Sequence, residues 1–124
     1  MSYSLKLQGS LTASSGNAPN SPELSYALDE ALTVKAFQTY EMVLNADPAQ
    51  AVALAGVANI HYLYVKTVGG KVRVRVTSAD GSQQSIPVDD HLILQASAVP
   101  STAVDFTRVS GAVTTVRGLV AEKA

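Results

Sequence analysis

The two histidines and the carboxylates beside one of them are the side chains with most scope for chemistry. His91 directly follows Asp89 and Asp90, whereas His61 stands apart. Two histidines need a carboxylate as a further ligand to hold a metal ion. Along a strand, only Asp89 would share a face with His91. The chain contains no H-x-H or H-x-x-E spacing. We therefore expect a turn followed by an ordinary histidine, and no metal site.

The serines and glycines lack the settings that catalysis requires. No serine lies in a G-x-S-x-G turn, and the acidic residues fall mostly in predicted turns and chain ends. Gly69 and Gly70 precede a strand pattern and not a helix, so they do not predict a phosphate loop. The chain has no cysteine, which removes thiol chemistry and thiolate metal ligands. We expect no enzymatic activity and no cofactor.

Length and charge favour one domain within an assembly. Residues 1–124 are enough to bury a core without disulfides. The net charge of −1 creates no field that would attract nucleic acid or an anionic membrane. Only 15% of residues are charged, which indicates that other chains cover part of the surface. The start of the chain does not resemble a signal peptide, and no segment has the length of a membrane span. We expect a protein made in the cytoplasm.

Residues 60–77 show the clearest structural pattern. Two alternating runs flank Gly69 and Gly70, which predicts a β-hairpin with a two-residue turn. In that register one face is a core, with these pairs: Thr67 with Val72, Val65 with Val74, and Leu63 with Val76. The other face is aromatic and basic, and it is the candidate interaction face: Tyr62, Tyr64, Lys66, Arg73 and Arg75.

The candidate interaction face has three interpretations. Its aromatic rings and cations can stack on sugars or nucleotide bases. In the predicted register Lys66 faces Arg73, and like charges that face each other need compensation by a partner's acidic group, a ligand or water. A plain solvated face and a protein–protein contact are therefore the main alternatives to glycan or nucleic-acid binding.

The remaining segments predict short antiparallel strands separated by turns. Residues 12–22 are predicted to be a loop or an arm, and residues 22–32 either a short helix or an extended lead into the next strand. Pro87 places its strand at an edge or a bulge. A closing hairpin is predicted over residues 103–120, turning at 110–111. Together these patterns predict an all-β fold, an antiparallel β-sandwich or jelly roll of about eight short strands.

Four short stretches carry a resemblance that extends over residues 25 to 120. They are Ala55-Gly56-Val57, Tyr62-Leu63-Tyr64-Val65-Lys66, Pro87-Val88-Asp89 and Leu92-Ile93-Leu94. In this order, and followed by a valine-rich closing hairpin, they resemble the small sandwich-like virion proteins of tailed bacteriophages. The matched positions are core and turn residues, so the resemblance implies no catalytic site.

The resemblance implies a non-enzymatic structural role in the virion, after assembly in the host cytoplasm. The first hypothesis is a homo-oligomeric capsid decoration or cement subunit that stabilises the head by binding the major capsid protein or other virion subunits. The alternative is a tail, baseplate or fibre component that binds a receptor glycan through Tyr62, Tyr64 and the basic strand that carries Arg73 and Arg75. A third hypothesis is a carbohydrate- or nucleic-acid-binding sandwich outside any virus.

Overall fold

The computed structural model describes residues 2–15, 18–45, 48–95, 99–109 and 113–124, and between residues 10 and 29 it describes the backbone alone. These ranges contain antiparallel strands and no helix, which confirms the all-β prediction. The strands are β1 (Tyr3–Ser15), β2 (Ala18–Leu44), β3 (Gln50–Ala51), β4 (Tyr62–Val68), β5 (Val72–Ser78), β6 (Gln83–Val88), β7 (His91–Gln95), β8 (Ser101–Arg108) and β9 (Thr114–Lys123).

The strands form two sheets that pack as a β-sandwich. Sheet A has the order β1-β2-β9-β4-β7, and sheet B has the order β3-β8-β5-β6. The main core lies between them and consists largely of valines from both sheets around Phe106. Pro87 lies in β6, which is an edge strand of sheet B, and this confirms the edge predicted from the proline.

The inward and outward faces of β4 and β5 are as predicted. Thr67 and the apolar residues of the predicted core face are all buried, whereas Arg73 and Arg75 are exposed. Tyr64 is exposed, and Tyr62 and Lys66 are half-buried. The alternation of residue types therefore predicted the burial of both strands correctly.

The predicted hairpin pairing is wrong. Strand β4 pairs with β9 and β7, whereas β5 pairs with β8 and β6, so the chain crosses from sheet A to sheet B at Gly69. Gly69 has a φ of 92°, and an added Cβ would lie 2.9 Å from the carbonyl oxygen of Val113, which explains the glycine. The predicted closing hairpin is wrong for the same reason, because β8 and β9 also belong to different sheets. Its turn at 110–111 lies outside the described residues.

Residues 12–15 and 18–32 belong to a ribbon of two strands. The short helix predicted over 22–32 is wrong, since β2 runs through the segment, and the extended alternative is confirmed. Residues 12–15 and 18–22, predicted as a loop or an arm, are strand. The pairing of β1 with β2 extends from Tyr3 opposite Val34 to Ser15 opposite Ala18. We call this pair of segments, residues 3–15 and 18–34, the ribbon.

A bulge at Lys35 turns the ribbon toward the outer face of sheet A. The register of β2 against β9 steps from Val34 opposite Lys123 to Ala36 opposite Glu122, so Lys35 is the extra residue. Tyr3 lies opposite Val34, and its ring packs edge-on against Phe37, which points outward (centroids 5.1 Å apart, 83° between planes). The side of the ribbon that carries Tyr3 and Val34 therefore continues the outer face of sheet A, away from the main core.

Candidate functional site

The structure divides the candidate interaction face between the two sheets. Tyr62, Tyr64 and Lys66 lie on the outer side of β4 in sheet A, whereas Arg73 and Arg75 lie on the outer side of β5 in sheet B. The outer faces of a sandwich point in opposite directions. The five residues therefore do not form one surface, and a binding role for either group stays a prediction.

Two cations of this predicted face, Lys66 and Arg75, contact carboxylates of the same chain. Lys66 Nζ lies 2.6 Å from Asp90 Oδ1. Arg75 donates from Nε and Nη2 to Asp105 Oδ2 at 2.9 and 2.7 Å. The hydrogen bond from Lys66, followed by that with His91, lowers the pKa of Asp90. Lys66 does not face Arg73 but lies opposite Arg117 and His91, and Asp90 supplies a carboxylate of the same chain beside it.

Each of the two histidines makes a polar contact with another residue of the chain. His91 Nδ1 lies 2.9 Å from Asp90 Oδ2, so the contacting carboxylate is Asp90 and not Asp89, the residue expected to share its face. His61 Nδ1 accepts a hydrogen bond from the backbone N–H of Lys123 at 3.1 Å. Within the described ranges, no group of three or more potential ligands could hold a metal ion.

The ribbon and the outer face of sheet A enclose an apolar cleft of about 480 Å³. The base of the ribbon forms one wall, and β4, β7 and β9 form the other. Tyr62 and Tyr64 line it, so two of the predicted site residues do meet in a concave site. The main apolar lining residues are Leu5, Leu7, Leu32, Tyr62, Tyr64, Ile93 and Leu119, and the polar ones are Lys6, Gln8, His91 and Gln95.

The cleft lies between the two edge strands of sheet A. Strand β1 is one edge and β7 is the other, and residues of both line the cleft. An edge strand presents backbone N–H and C=O groups that a further strand can pair with. Apolar walls between two such edges suit an extended segment that inserts alternate apolar side chains. Sequence reasoning missed this cleft, because β1, β4 and β7 are distant in the chain.

A buried carboxylate anchors the bulge from which the ribbon starts. Glu122 is 4% exposed. Its oxygens accept hydrogen bonds from Asn59 Nδ2 at 3.2 Å and the backbone N–H of Ala58 at 3.3 Å, and Lys35 Nζ lies 3.3 Å away. The hydrogen bond from Asn59 is the largest cause of a lowered pKa for Glu122, and Lys35 adds to it. Sequence reasoning also missed this site, because residues 35, 59 and 122 are distant in the chain.

Tyr40 and Gly118 hold the floor of the cleft against the main core. The Tyr40 hydroxyl donates to the carbonyl oxygen of Tyr64 at 2.7 Å, and its ring packs against Phe106 with centroids 5.6 Å apart. Burial raises the pKa of Tyr40. A Cβ at Gly118 would overlap the Tyr64 carbonyl oxygen and lie 2.7 Å from the Tyr40 hydroxyl. The glycine therefore permits this contact between β2, β9 and β4.

No helix in the described part of the chain is long and apolar enough to cross a membrane. Comparisons of the chain with protein-family models, curated proteins and solved structures give no match.

Proposed function

We propose that the protein is a non-enzymatic structural subunit of a tailed-bacteriophage virion, a homo-oligomeric capsid decoration or cement protein that stabilises the head. The observation that carries the proposal is the apolar cleft between the free edges of β1 and β7. Free edges and uncovered apolar surface are what a subunit uses to join neighbours. The major capsid protein and other virion subunits are the proposed partners.

The strand order supports a jelly-roll interpretation of β2 to β9. A jelly roll has eight strands in two sheets, and most of its connections cross from one sheet to the other. Here β2-β9-β4-β7 packs on β3-β8-β5-β6, and only the connection from β5 to β6 stays within one sheet. Jelly rolls are common in viral capsid proteins and in lectins. The order therefore favours a virion subunit, and it also favours the glycan-binding alternative.

Apolar residues at the surface of sheet A support contact with other subunits. Phe37 is 48% exposed, Ile93 47% and Tyr64 40%. Single exposed apolar residues are ordinary in monomers, but Ile93 and Tyr64 share the cleft, and Phe37 packs against Tyr3 on the ribbon. These two apolar groups would lose contact with water on docking, which favours an assembly that salt does not dissociate.

The alternative function is that of a tail, baseplate or fibre component that binds a receptor glycan. Tyr62 and Tyr64 in a cleft with His91 and Gln95 at its wall favour it, because sugars stack on aromatic rings beside polar groups. Arg73 and Arg75 take no part in that site, since they lie on sheet B.

Immunogold electron microscopy of purified particles tests the proposal. We expect label on heads, whereas label on tails would favour the alternative and unlabelled particles would refute both. Binding of the purified protein to isolated heads should also survive an increase from roughly 0.05 to 0.5 M salt, because a charge-dominated contact such as nucleic-acid binding weakens steeply over that range.

A further inference from the structure

The register of the ribbon separates apolar from polar residues. Directly opposite residues share a face of an antiparallel pair. One face holds the pairs Leu5–Leu32, Leu7–Glu30, Gly9–Leu28, Leu11–Tyr26 and Ala13–Leu24, and the other holds Ser4–Thr33, Lys6–Ala31, Gln8–Asp29, Ser10–Ala27 and Thr12–Ser25. The ribbon is therefore amphipathic along its length, with Glu30 the single charged residue among these apolar-face positions.

The base of this apolar face lies over the cleft. Leu5 and Leu7 are half-buried over the cleft, whereas Gly9 is exposed and an added Cβ there would meet no atom within 4 Å. The apolar positions continue beyond Gly9 to Ala13. An isolated two-stranded ribbon is at best marginally stable in water. In the described ranges β1 pairs with β2 alone, so a further strand along the free edge of β1 would stabilise the ribbon.

Strand β1 offers the most open edge of the sandwich. Among the other edge strands, β3 has two residues, β7 has five, and β6 contains Pro87. Strand β1 has 13 residues, and Lys6 is its single charged residue. Proline and charge are the usual protections of an edge against pairing with another chain. Their near absence marks β1 as a pairing edge.

We propose that two copies of this chain pair through β1, antiparallel and about a two-fold axis at Gly9. Gly9 is the midpoint of β1. This register sets Leu7 opposite Leu11 of the second copy and Leu5 opposite Ala13 of the second copy, so apolar residues meet apolar residues. Lys6 meets Thr12 of the second copy, so no like charges face each other. Each copy contributes the same surface, as a two-fold interface requires.

The same pairing brings the outer half of each ribbon to the cleft of the other copy. Positions 11 and 13 of the second copy then lie beside Leu5 and Leu7, which form the cleft wall. Nine residue pairs from Leu5 to Ala13 provide about nine backbone hydrogen bonds, within the range of a typical interface. This pairing is the surface through which the proposed homo-oligomer would form. It rests on the homo-oligomer in the proposed function and not on the role in the head.

Single cysteines test the axis, because the natural chain has none. Across an antiparallel pair the two Gly9 Cα atoms would lie about 4.5–5.5 Å apart, within the range of a disulfide. We expect Gly9→Cys to form a linked dimer under mild oxidation. Thr12→Cys is the matched control, since the two copies of residue 12 would lie six residues, or about 20 Å, apart along the strands. Equal linking of both variants, or of neither, would overturn the inference.

Light scattering after gel filtration tests the apolar pairing on free protein, with no capsid present. At about 100 µM we expect a wild-type dimer, a monomeric Leu11→Glu variant with wild-type circular dichroism, and a dimeric Thr12→Glu variant whose new charge faces Lys6. A dimeric Leu11→Glu variant would contradict the register. A monomeric wild-type protein that still labelled heads would overturn this inference together with the homo-oligomer, and would leave the proposed role on the head standing.

Discussion

Replacement of Gly118 by alanine is the sharpest test of how sheet A is built. Gly118 lies between Tyr40 on β2 and Val65 on β4. An added methyl group would overlap the carbonyl oxygen of Tyr64 and crowd the Tyr40 hydroxyl. That carbonyl cannot move away easily, because β4 is paired on both sides, with β9 and with β7.

The expected loss of stability follows from the hydrogen bonds that must break. Relief of the overlap would separate β4 from β9 locally, which removes two or three ladder hydrogen bonds, and it would also remove the bond from Tyr40 to Tyr64. At about 1 kcal/mol each, the free energy of unfolding should fall by about 3–4 kcal/mol. Because small domains have only about 5–15 kcal/mol of stability, such a loss is easily measured.

Urea denaturation followed by circular dichroism measures this change. Gly9→Ala is the matched control, since its methyl group meets open space, and we expect its stability to stay within about 1 kcal/mol of the wild type. Addition of Tyr40→Phe should not rescue Gly118→Ala, because the backbone overlap remains. A Gly118→Ala variant within about 1 kcal/mol of the wild type would refute the arrangement of β2, β9 and β4.

Three further predictions address the core, the bulge and the floor of the cleft. Val74→Asp should unfold the protein or block its assembly, because it buries an unpaired charge, whereas Arg73→Ser should fold normally. Circular dichroism that showed a folded Val74→Asp variant and an unfolded Arg73→Ser variant would contradict the facing of β5. Glu122→Gln should lower the free energy of unfolding by about 1–3 kcal/mol at pH 7. The pKa of Glu122 is lowered in the folded state, so the extra stability of the wild type over the variant is present above pH 4.5, the ordinary pKa of a glutamate. This difference in stability should shrink as the pH falls below that value. A difference that does not depend on pH would count against the buried carboxylate. Tyr40→Phe should cost about 1 kcal/mol in urea titration, and no change would argue against its bond to Tyr64.

The alternation of residue types predicted burial but not strand pairing. A hairpin and a crossing between two sheets both turn alternate residues of β4 and β5 toward one core, so Val65 and Val74 are buried in either case. The two arrangements differ in the direction of the backbone hydrogen bonds, which periodicity does not report. The like charges of Lys66 and Arg73 did not discriminate between the two arrangements either, because the observed register places Lys66 opposite Arg117.

The helix over residues 22–32 was predicted for a related reason. Leu24, Leu28 and Leu32 are spaced by four residues, and this spacing fits one face of a helix and one face of a strand equally well. The register with β1 shows which period applies, because Tyr26 lies on the same side of the ribbon as the leucines. Pairing with β1 makes this segment a strand, and the sequence of the segment alone does not show that β1 is its partner.

The cleft was not predictable from local pattern because it depends on one extra residue. Without the bulge at Lys35, the apolar side of the ribbon would continue the core side of β2. With it, Leu5, Leu7 and Leu32 face Tyr62 and Tyr64 across the outer side of sheet A. Residues in three distant parts of the chain, Lys35, Asn59 and Glu122, hold that bulge.

Amide hydrogen exchange along β1 tests most directly whether a second copy completes the ribbon. In a lone chain only alternate amides of β1 bond to β2, so protection should alternate from one residue to the next. At protein concentrations where the dimer forms, we predict protection of every amide from Leu5 to Ala13. Alternating protection that persists at all concentrations would contradict the pairing of β1 with a second copy.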